Sequence, residues 1–101
     1  EKVNSPWLHA LPDFCNTLAA KGPERNYPGL EAMFGKGYNI CHVKAVEMGQ
    51  DGKLAKVDMP KTFGILKNYN YKGYLSMEFD SPGDPYAGTQ DLIDTTLRLL
   101  A

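Results

Sequence analysis

The sequence predicts an α/β protein with parallel strands, because short apolar stretches with strand character alternate with stretches that have helical spacing. Strands are predicted at residues 7–13, 38–45 and 74–80. Strands separated by helices are joined by crossover connections and therefore lie parallel. The predicted order is strand, helix, strand, loop, helix, strand and helix.

The predicted helices cover residues 28–34, 60–69 and 91–100. Leu30, Met33 and Phe34 lie at i, i+3 and i+4 in the first helix, as on one helix face. Phe63, Leu66 and Lys67 recur at helical spacing in the second. Asp58 is expected to cap the second helix. The third helix is predicted to bury a stripe of Leu92, Ile93, Thr96, Leu97 and Leu100. Residues 19–26 are predicted to form an exposed loop. Residues 47–58 are predicted to form an exposed turn with Asp51 and Gly52 at its tip.

The last strand alternates between apolar and polar residues. Leu75 and Met77 face one way, and Ser76 and Glu78 face the other. An apolar outer face beneath helices and a polar inner face are typical of a barrel whose lumen carries chemistry. The sequence therefore indicates one part of a larger barrel.

Bulk properties exclude several classes of protein. The 101 residues can hold one domain at most. The net charge of −1 and the lack of a basic run argue against a nucleic-acid partner. No apolar run approaches the length of a membrane span. The two cysteines lack zinc or redox spacing, so we expect free thiols in a reducing, cytoplasmic compartment. The chain starts at Glu1 without methionine, so we expect the natural N-terminus, with any targeting signal, to lie upstream.

Three polar residues are expected at the carboxyl ends of the predicted strands: Asp13, His42 and Glu78. Parallel sheets place their sites at that edge. Two carboxylates and an imidazole suit a divalent metal, and three protein ligands leave positions open for water and substrate.

Each residue also has a purely structural interpretation. Asp13 could belong to a turn or a helix cap, and His42 could be a hydrogen-bonded core histidine. Glu78 lies among apolar neighbours, so it must be paired, bound to a metal or shifted in pKa.

Two further residues are candidates for substrate binding. Lys44 lies two residues beyond His42, on the same strand face, and could hold an oxyanion or a phosphate. Its alternative is a solvent-exposed lysine at the rim. Asn16 follows Asp13 closely enough to reach the same pocket, and its alternative is a turn or capping residue.

Four motifs carry a family resemblance: LPDFCN at 11–16, CHVKA at 41–45, VDMPKTFGIL at 57–66 and YKGYLSMEFD at 71–80. With these motifs the chain resembles the C-terminal part of the sugar phosphate isomerase/epimerase family, the xylose isomerase-like TIM barrels. The resemblance implies that residues 1–101 are a C-terminal fragment of one such domain, with about three of the eight βα units of a (β/α)8 barrel.

The resemblance also implies a chemistry. A divalent ion (Mn, Mg, Co or Zn) would be held by Asp13, His42, Glu78 and a glutamate upstream of residue 1. The reaction would isomerise or epimerise a small sugar, sugar phosphate or sugar acid by proton transfer through an enediolate, with Glu78 as the catalytic acid/base. Family members commonly carry histidine at the position of Asn16, which puts the role of that residue in doubt. Without the upstream glutamate, the fragment itself should be inactive.

Three alternatives stay open: a related sugar dehydratase, a non-catalytic barrel that binds carbohydrate or a partner, and an independent α/β module in which the three polar residues are structural. The expected partners are a small-molecule sugar and either a second copy of the chain or the missing barrel portion, because three strands cannot close a barrel.

Overall fold

The computed structural model describes residues 3–101 and shows a small α/β chain with one parallel pair of strands. Its elements, in chain order, are α1 (Asn16–Lys21), α2 (Pro23–Phe34), β1 (Ile40–Val43), β2 (Val46–Met48), β3 (Leu54–Lys56), α3 (Met59–Asn68), β4 (Tyr74–Met77) and α4 (Pro85–Leu100).

The prediction of parallel strands is confirmed for β1 and β4. Ile40 lies opposite Tyr74, and Val43 lies opposite Met77. Cys41 and Val43 are fully buried, whereas His42 between them is only half-buried. β1 therefore has one buried face and one partly exposed face.

The predicted strand at residues 7–13 is wrong as a regular strand. The segment makes only two isolated parallel bridges, Ala10 to Gly37 and Asp13 to His42. Pro12 has no N–H to donate to a ladder, although its carbonyl accepts a hydrogen bond of 2.9 Å from the His42 amide. The segment still runs beside β1, so Asp13 reaches the level of His42.

The predicted loop at residues 19–26 is also wrong, because the end of α1, Gly22 and the start of α2 occupy this range. Gly22, with φ +80°, separates the two helices, and Pro23 begins the second. Asn26 is fully buried because its Nδ2 donates to the Phe14 carbonyl at 3.1 Å. The polar composition of residues 19–26 predicted exposure, but Asn26 within this range faces the core.

Residues 47–58 were expected to form a turn, and the structure has a β-hairpin there. β2 and β3 pair antiparallel, with Val46 opposite Lys56. Asp51 and Gly52 lie at the tip, as expected, and Gly52 has φ +76°. The hairpin packs against α1, where the Cys15 thiol lies 3.7 Å from the Ala55 carbonyl oxygen.

The two later helices occur where the sequence places them, with shifted bounds. Asp58 caps α3 by accepting from the Lys61 amide at 3.0 Å, as predicted. α4 starts at Pro85, before the predicted start, behind an Asp84 cap. Its predicted buried stripe is only partly buried: Leu92 and Thr96 are covered, whereas Ile93, Leu97 and Leu100 are exposed. The reason is that α4 packs along one side only, against α3 and β4.

The core lies between the sheet and the helices. Phe14 and Phe63 meet there edge to face, with ring centroids 5.4 Å apart. The cluster also contains Leu30, Phe34, Cys41, Val43, Met59, Ile65, Leu66 and Leu92. The other face of the strand pair, at Ile40 and Tyr74, is exposed. Within residues 3–101, no helix combines the length and apolarity needed to cross a membrane.

Candidate metal centre

The three predicted ligands meet at the carboxyl end of β1. His42 Nδ1 lies 3.4 Å from Asp13 Oδ2 and 3.2 Å from Glu78 Oε2. One possible ligand atom from each residue falls within 4.8 Å of the other two. The structure therefore brings together the set that the sequence placed at one sheet edge.

Backbone hydrogen bonds fix these residues at the same level. The Phe14 amide donates to the His42 carbonyl at 3.2 Å, which aligns Asp13 with β1. The Glu78 amide donates to the Val43 carbonyl at 2.9 Å, just beyond the end of β4. The main chain therefore brings the three residues to the same level, from which their side chains can meet.

The two oxygens of Asp13 have different surroundings. Oδ1 accepts from the amides of Cys15 and Asn16 at 3.0 and 2.9 Å, at the start of α1. This is the turn or capping role that the sequence left open for Asp13. Oδ2 points to His42 and is free of that role. The two interpretations of Asp13 are therefore compatible.

Two carboxylate oxygens in the cluster, Asp13 Oδ2 and Glu78 Oε2, are buried and have no hydrogen-bond partner among residues 3–101. The imidazole lies close to both but not in hydrogen-bonding geometry. A buried anion without a partner is unfavourable. Metal–ligand bonds of about 2.0–2.2 Å hold neighbouring ligand atoms roughly 3 Å apart. The donor types, the spacing and the two unpaired oxygens fit a divalent cation.

Lys44 is buried beside the trio, with 3% of its surface exposed, so a solvent-exposed lysine at the rim is ruled out. Its Nζ donates to Asn16 Oδ1 at 2.9 Å and to Glu47 Oε2 at 3.0 Å. It also lies 3.4 Å from Glu78 Oε2 and 3.7 Å from Asp13 Oδ2. The two candidate substrate-binding residues, Lys44 and Asn16, are thus hydrogen-bonded to each other.

The charges around Lys44 keep it protonated. Burial alone would lower the pKa of Lys44, but the hydrogen bond to Glu47 and the nearby carboxylates outweigh it and raise the pKa above its usual value. Three carboxylates then face one ammonium, since Asp13, Glu47 and Glu78 all lie within 4 Å of Nζ. Three carboxylates and one ammonium carry a net charge of −2, which one divalent cation would neutralise.

Sequence reasoning missed Glu47, which it placed in an exposed turn. The chain bends at Ala45 between β1 and β2, so strand alternation from Lys44 does not predict that Glu47 returns to the ammonium. The only signal was an acidic residue three positions after a lysine.

The two cysteines lie near the cluster without joining it. Both are free and buried. Burial raises the pKa of each thiol to about 12. At neutral pH neither cysteine therefore offers the thiolate that binds metals or attacks substrates.

No protein-family model matches this chain, and neither a curated protein nor a solved structure matches it. The family resemblance therefore stays a proposal, and the cluster of Asp13, His42 and Glu78 is the feature that points to a function.

Proposed function

We propose that Asp13, His42 and Glu78 bind a divalent metal ion. The observation that supports this most strongly is the pair of unpaired buried oxygens, Asp13 Oδ2 and Glu78 Oε2, that flank His42 Nδ1. The ammonium of Lys44 lies 3.4 Å from Glu78 Oε2 and 3.7 Å from Asp13 Oδ2 without donating a hydrogen bond to either. A metal ion between the two oxygens would supply the direct contact that they lack. Mixed oxygen and nitrogen ligands suit Mn, Mg, Co or Zn.

We further propose that the site belongs to a metal-dependent isomerase or epimerase of a small sugar, sugar phosphate or sugar acid. When bound, the ion would polarise a carbonyl and an adjacent hydroxyl of the substrate. Support comes from the location of the trio at the carboxyl end of a parallel strand pair, the edge where α/β enzymes carry their sites.

In this proposal Glu78, Lys44 and Asn16 have different roles. Glu78 removes and returns a proton next to the substrate carbonyl, and its side chain is 43% exposed, so a substrate can reach it. Lys44 is the buried cation at the inner wall of the site and would stabilise negative charge on the substrate. Asn16 is exposed and directs Lys44 through its Oδ1.

We propose that the complete protein is a TIM barrel and that this chain contributes its C-terminal βα units. The resemblance places a fourth ligand and a second proton-transfer group outside residues 1–101. We therefore expect catalytic turnover only from the complete barrel. Metal binding, in contrast, can be tested on residues 1–101 alone.

The test is calorimetric titration of MnCl₂ into the purified chain and into Glu78→Gln. Micromolar binding in the wild type that is lost in Glu78→Gln supports the metal site, because the amide is a much weaker ligand. Glu31→Gln is the matched control, since Glu31 is an exposed carboxylate of α2 outside the cluster. Absence of binding in the wild type would contradict the proposal and favour a structural or carbohydrate-binding role.

A further inference from the structure

The ammonium of Lys44 lies among four oxygen atoms that it does not contact equally. It donates to Asn16 Oδ1 and Glu47 Oε2 at 2.9 and 3.0 Å. The two unpaired oxygens of the trio are farther away, at 3.4 Å for Glu78 and 3.7 Å for Asp13, and accept no hydrogen bond. Lys44 is therefore held to one side of the trio.

The position of Lys44 has a consequence for any cation at the trio. A lysine ammonium and a metal ion compete for the same carboxylate oxygens, since both are cations and each neutralises the pair. The ammonium already forms ion pairs with Asp13 Oδ2 and Glu78 Oε2, and a small movement would let it donate hydrogen bonds to them. Asn16 and Glu47 oppose that movement by occupying two of the three ammonium protons.

The carboxylate of Glu47 is held by the hairpin. Val57, the residue after β3, donates its amide hydrogen to the Ala45 carbonyl at 2.8 Å. This bond ties the end of β3 to the chain between β1 and β2. The hairpin also packs on α1, the helix that begins with Asn16. Both groups that hold Lys44 thus belong to the same packed unit, and the side chain of Glu47 is only 20% exposed.

We propose that Glu47 is a positioning residue that keeps the Lys44 ammonium from donating hydrogen bonds to Asp13 and Glu78 and so leaves their oxygens open to a divalent cation. This inference rests on the proposed metal site and adds a residue to it. Glu47 itself need not touch the ion. Its effect passes through Lys44, so it should disappear when the lysine is removed.

A double-mutant cycle on the 101-residue chain tests this dependence, with MnCl₂ titration of the wild type, Glu47→Gln, Lys44→Met and the double variant. Loss of an outer partner typically weakens metal binding about 10-fold or more, which we expect for Glu47→Gln. In the Lys44→Met background the same change should cost less than about 3-fold, because no competing ammonium is left. Asp51→Asn is the matched control, since it removes one charge from the same hairpin without touching Lys44. An equal loss in both backgrounds, or no loss in either, would overturn the proposal.

A readout without metal separates this inference from the proposed function. An ammonium held in two hydrogen bonds exchanges its protons slowly, so the wild type should give a resolved Lys44 Nζ cross-peak in ¹H–¹⁵N spectra that Lys44→Met lacks. Glu47→Gln should broaden or shift that peak, and Asp51→Asn should leave it unchanged. An unchanged peak in Glu47→Gln overturns the proposal even if the Lys44→Met variants fail to fold. If the peak responds as expected and the wild type binds no Mn²⁺, the metal site is overturned and the hold of Glu47 on Lys44 is supported.

Discussion

At the scale of single residues, Asp13 combines a structural and a chemical role in one carboxylate. Oδ1 accepts two backbone hydrogen bonds at the start of α1, and Oδ2 faces His42 without a partner. Asp13→Asn can keep the first role because the amide has one carbonyl oxygen, whereas Asp13→Ala loses both.

We therefore expect the two substitutions to separate stability from metal binding. Asp13→Asn should abolish Mn²⁺ binding and change the free energy of unfolding little. Asp13→Ala should abolish binding and also cost about 1 kcal/mol, the usual value of a lost cap. Urea denaturation and MnCl₂ titration of both variants measure the two effects. Retained Mn²⁺ binding in Asp13→Asn would show that Oδ2 is not a ligand.

Tyr71 makes the stability of the chain depend on pH in the alkaline range. Its hydroxyl donates to the Tyr74 carbonyl at 2.8 Å, and its ring meets Phe34 edge to face. Burial, and then the neighbouring Cys41, raise the pKa of Tyr71 above its ordinary value of 10.0. Below pH 10 the phenol is neutral in the folded and unfolded chains, so its full contribution to stability is present.

Above pH 10 the unfolded chain ionises at Tyr71 while the folded chain holds the phenol neutral, so stability falls as pH rises. Tyr71→Phe should reduce this decline, even if it lowers stability at neutral pH. Urea midpoints measured from pH 8 to about pH 11 give the two slopes. Tyr27→Phe is a control at a tyrosine on α2, outside the contact between Tyr71 and Cys41. Identical slopes in the wild type and Tyr71→Phe would contradict the prediction.

At the scale of elements, two helical glycines differ in what surrounds them. A methyl group at Gly88 of α4 would overlap the ring of Phe79, which packs directly on the helix. At Gly64 of α3 no neighbouring atom lies within 4 Å of the position that a methyl group would take. The same substitution therefore tests how closely each helix packs.

We expect Gly64→Ala to stabilise the chain by about 0.5–1 kcal/mol, because alanine loses less backbone entropy in a helix than glycine does. Gly88→Ala should instead destabilise it by about 1–3 kcal/mol, since the overlap with Phe79 outweighs that gain. Thermal or urea unfolding measures both changes. A stabilising Gly88→Ala would mean that α4 does not pack on Phe79 as closely as described.

Element by element, the sequence was informative where local signals act alone. The Asp58 cap and the apolar spacing of Phe63 and Leu66 located α3 because both act within one turn. The same reasoning failed at residues 19–26, because the buried Asn26 donates a side-chain hydrogen bond to the distant Phe14 carbonyl. Tertiary contacts of this kind leave no periodic pattern in the sequence.

At the scale of the whole molecule, the trio was predictable because parallel topology brings the carboxyl ends of neighbouring strands together. Asp13 lies beside His42 although its segment is no regular strand, because its neighbours Pro12 and Phe14 form backbone hydrogen bonds with His42. The burial of Lys44 and its bond to Glu47 were not predictable, because they depend on where the hairpin folds back. The barrel and the sugar chemistry stay predictions.

The exposed face of the strand pair leads to a last prediction about assembly. Parallel strands are normally covered on both faces, and the helices here cover only one. Tyr74 is 75% exposed and lies opposite Ile40, which is also exposed, and among the described residues no further strand pairs with the outer edge of β4.

We expect the isolated chain to self-associate through this face as its concentration rises. Sedimentation velocity should show a weight-average mass above that of a monomer, and Tyr74→Lys should reduce it by adding charge to the contact. Tyr86→Lys is the matched control, because Tyr86 is 87% exposed at the start of α4. If both lysine variants associate like the wild type, the contact lies elsewhere. If the wild type stays monomeric throughout, the uncovered face does not drive self-association, and a different partner, such as the remaining barrel, would have to cover it.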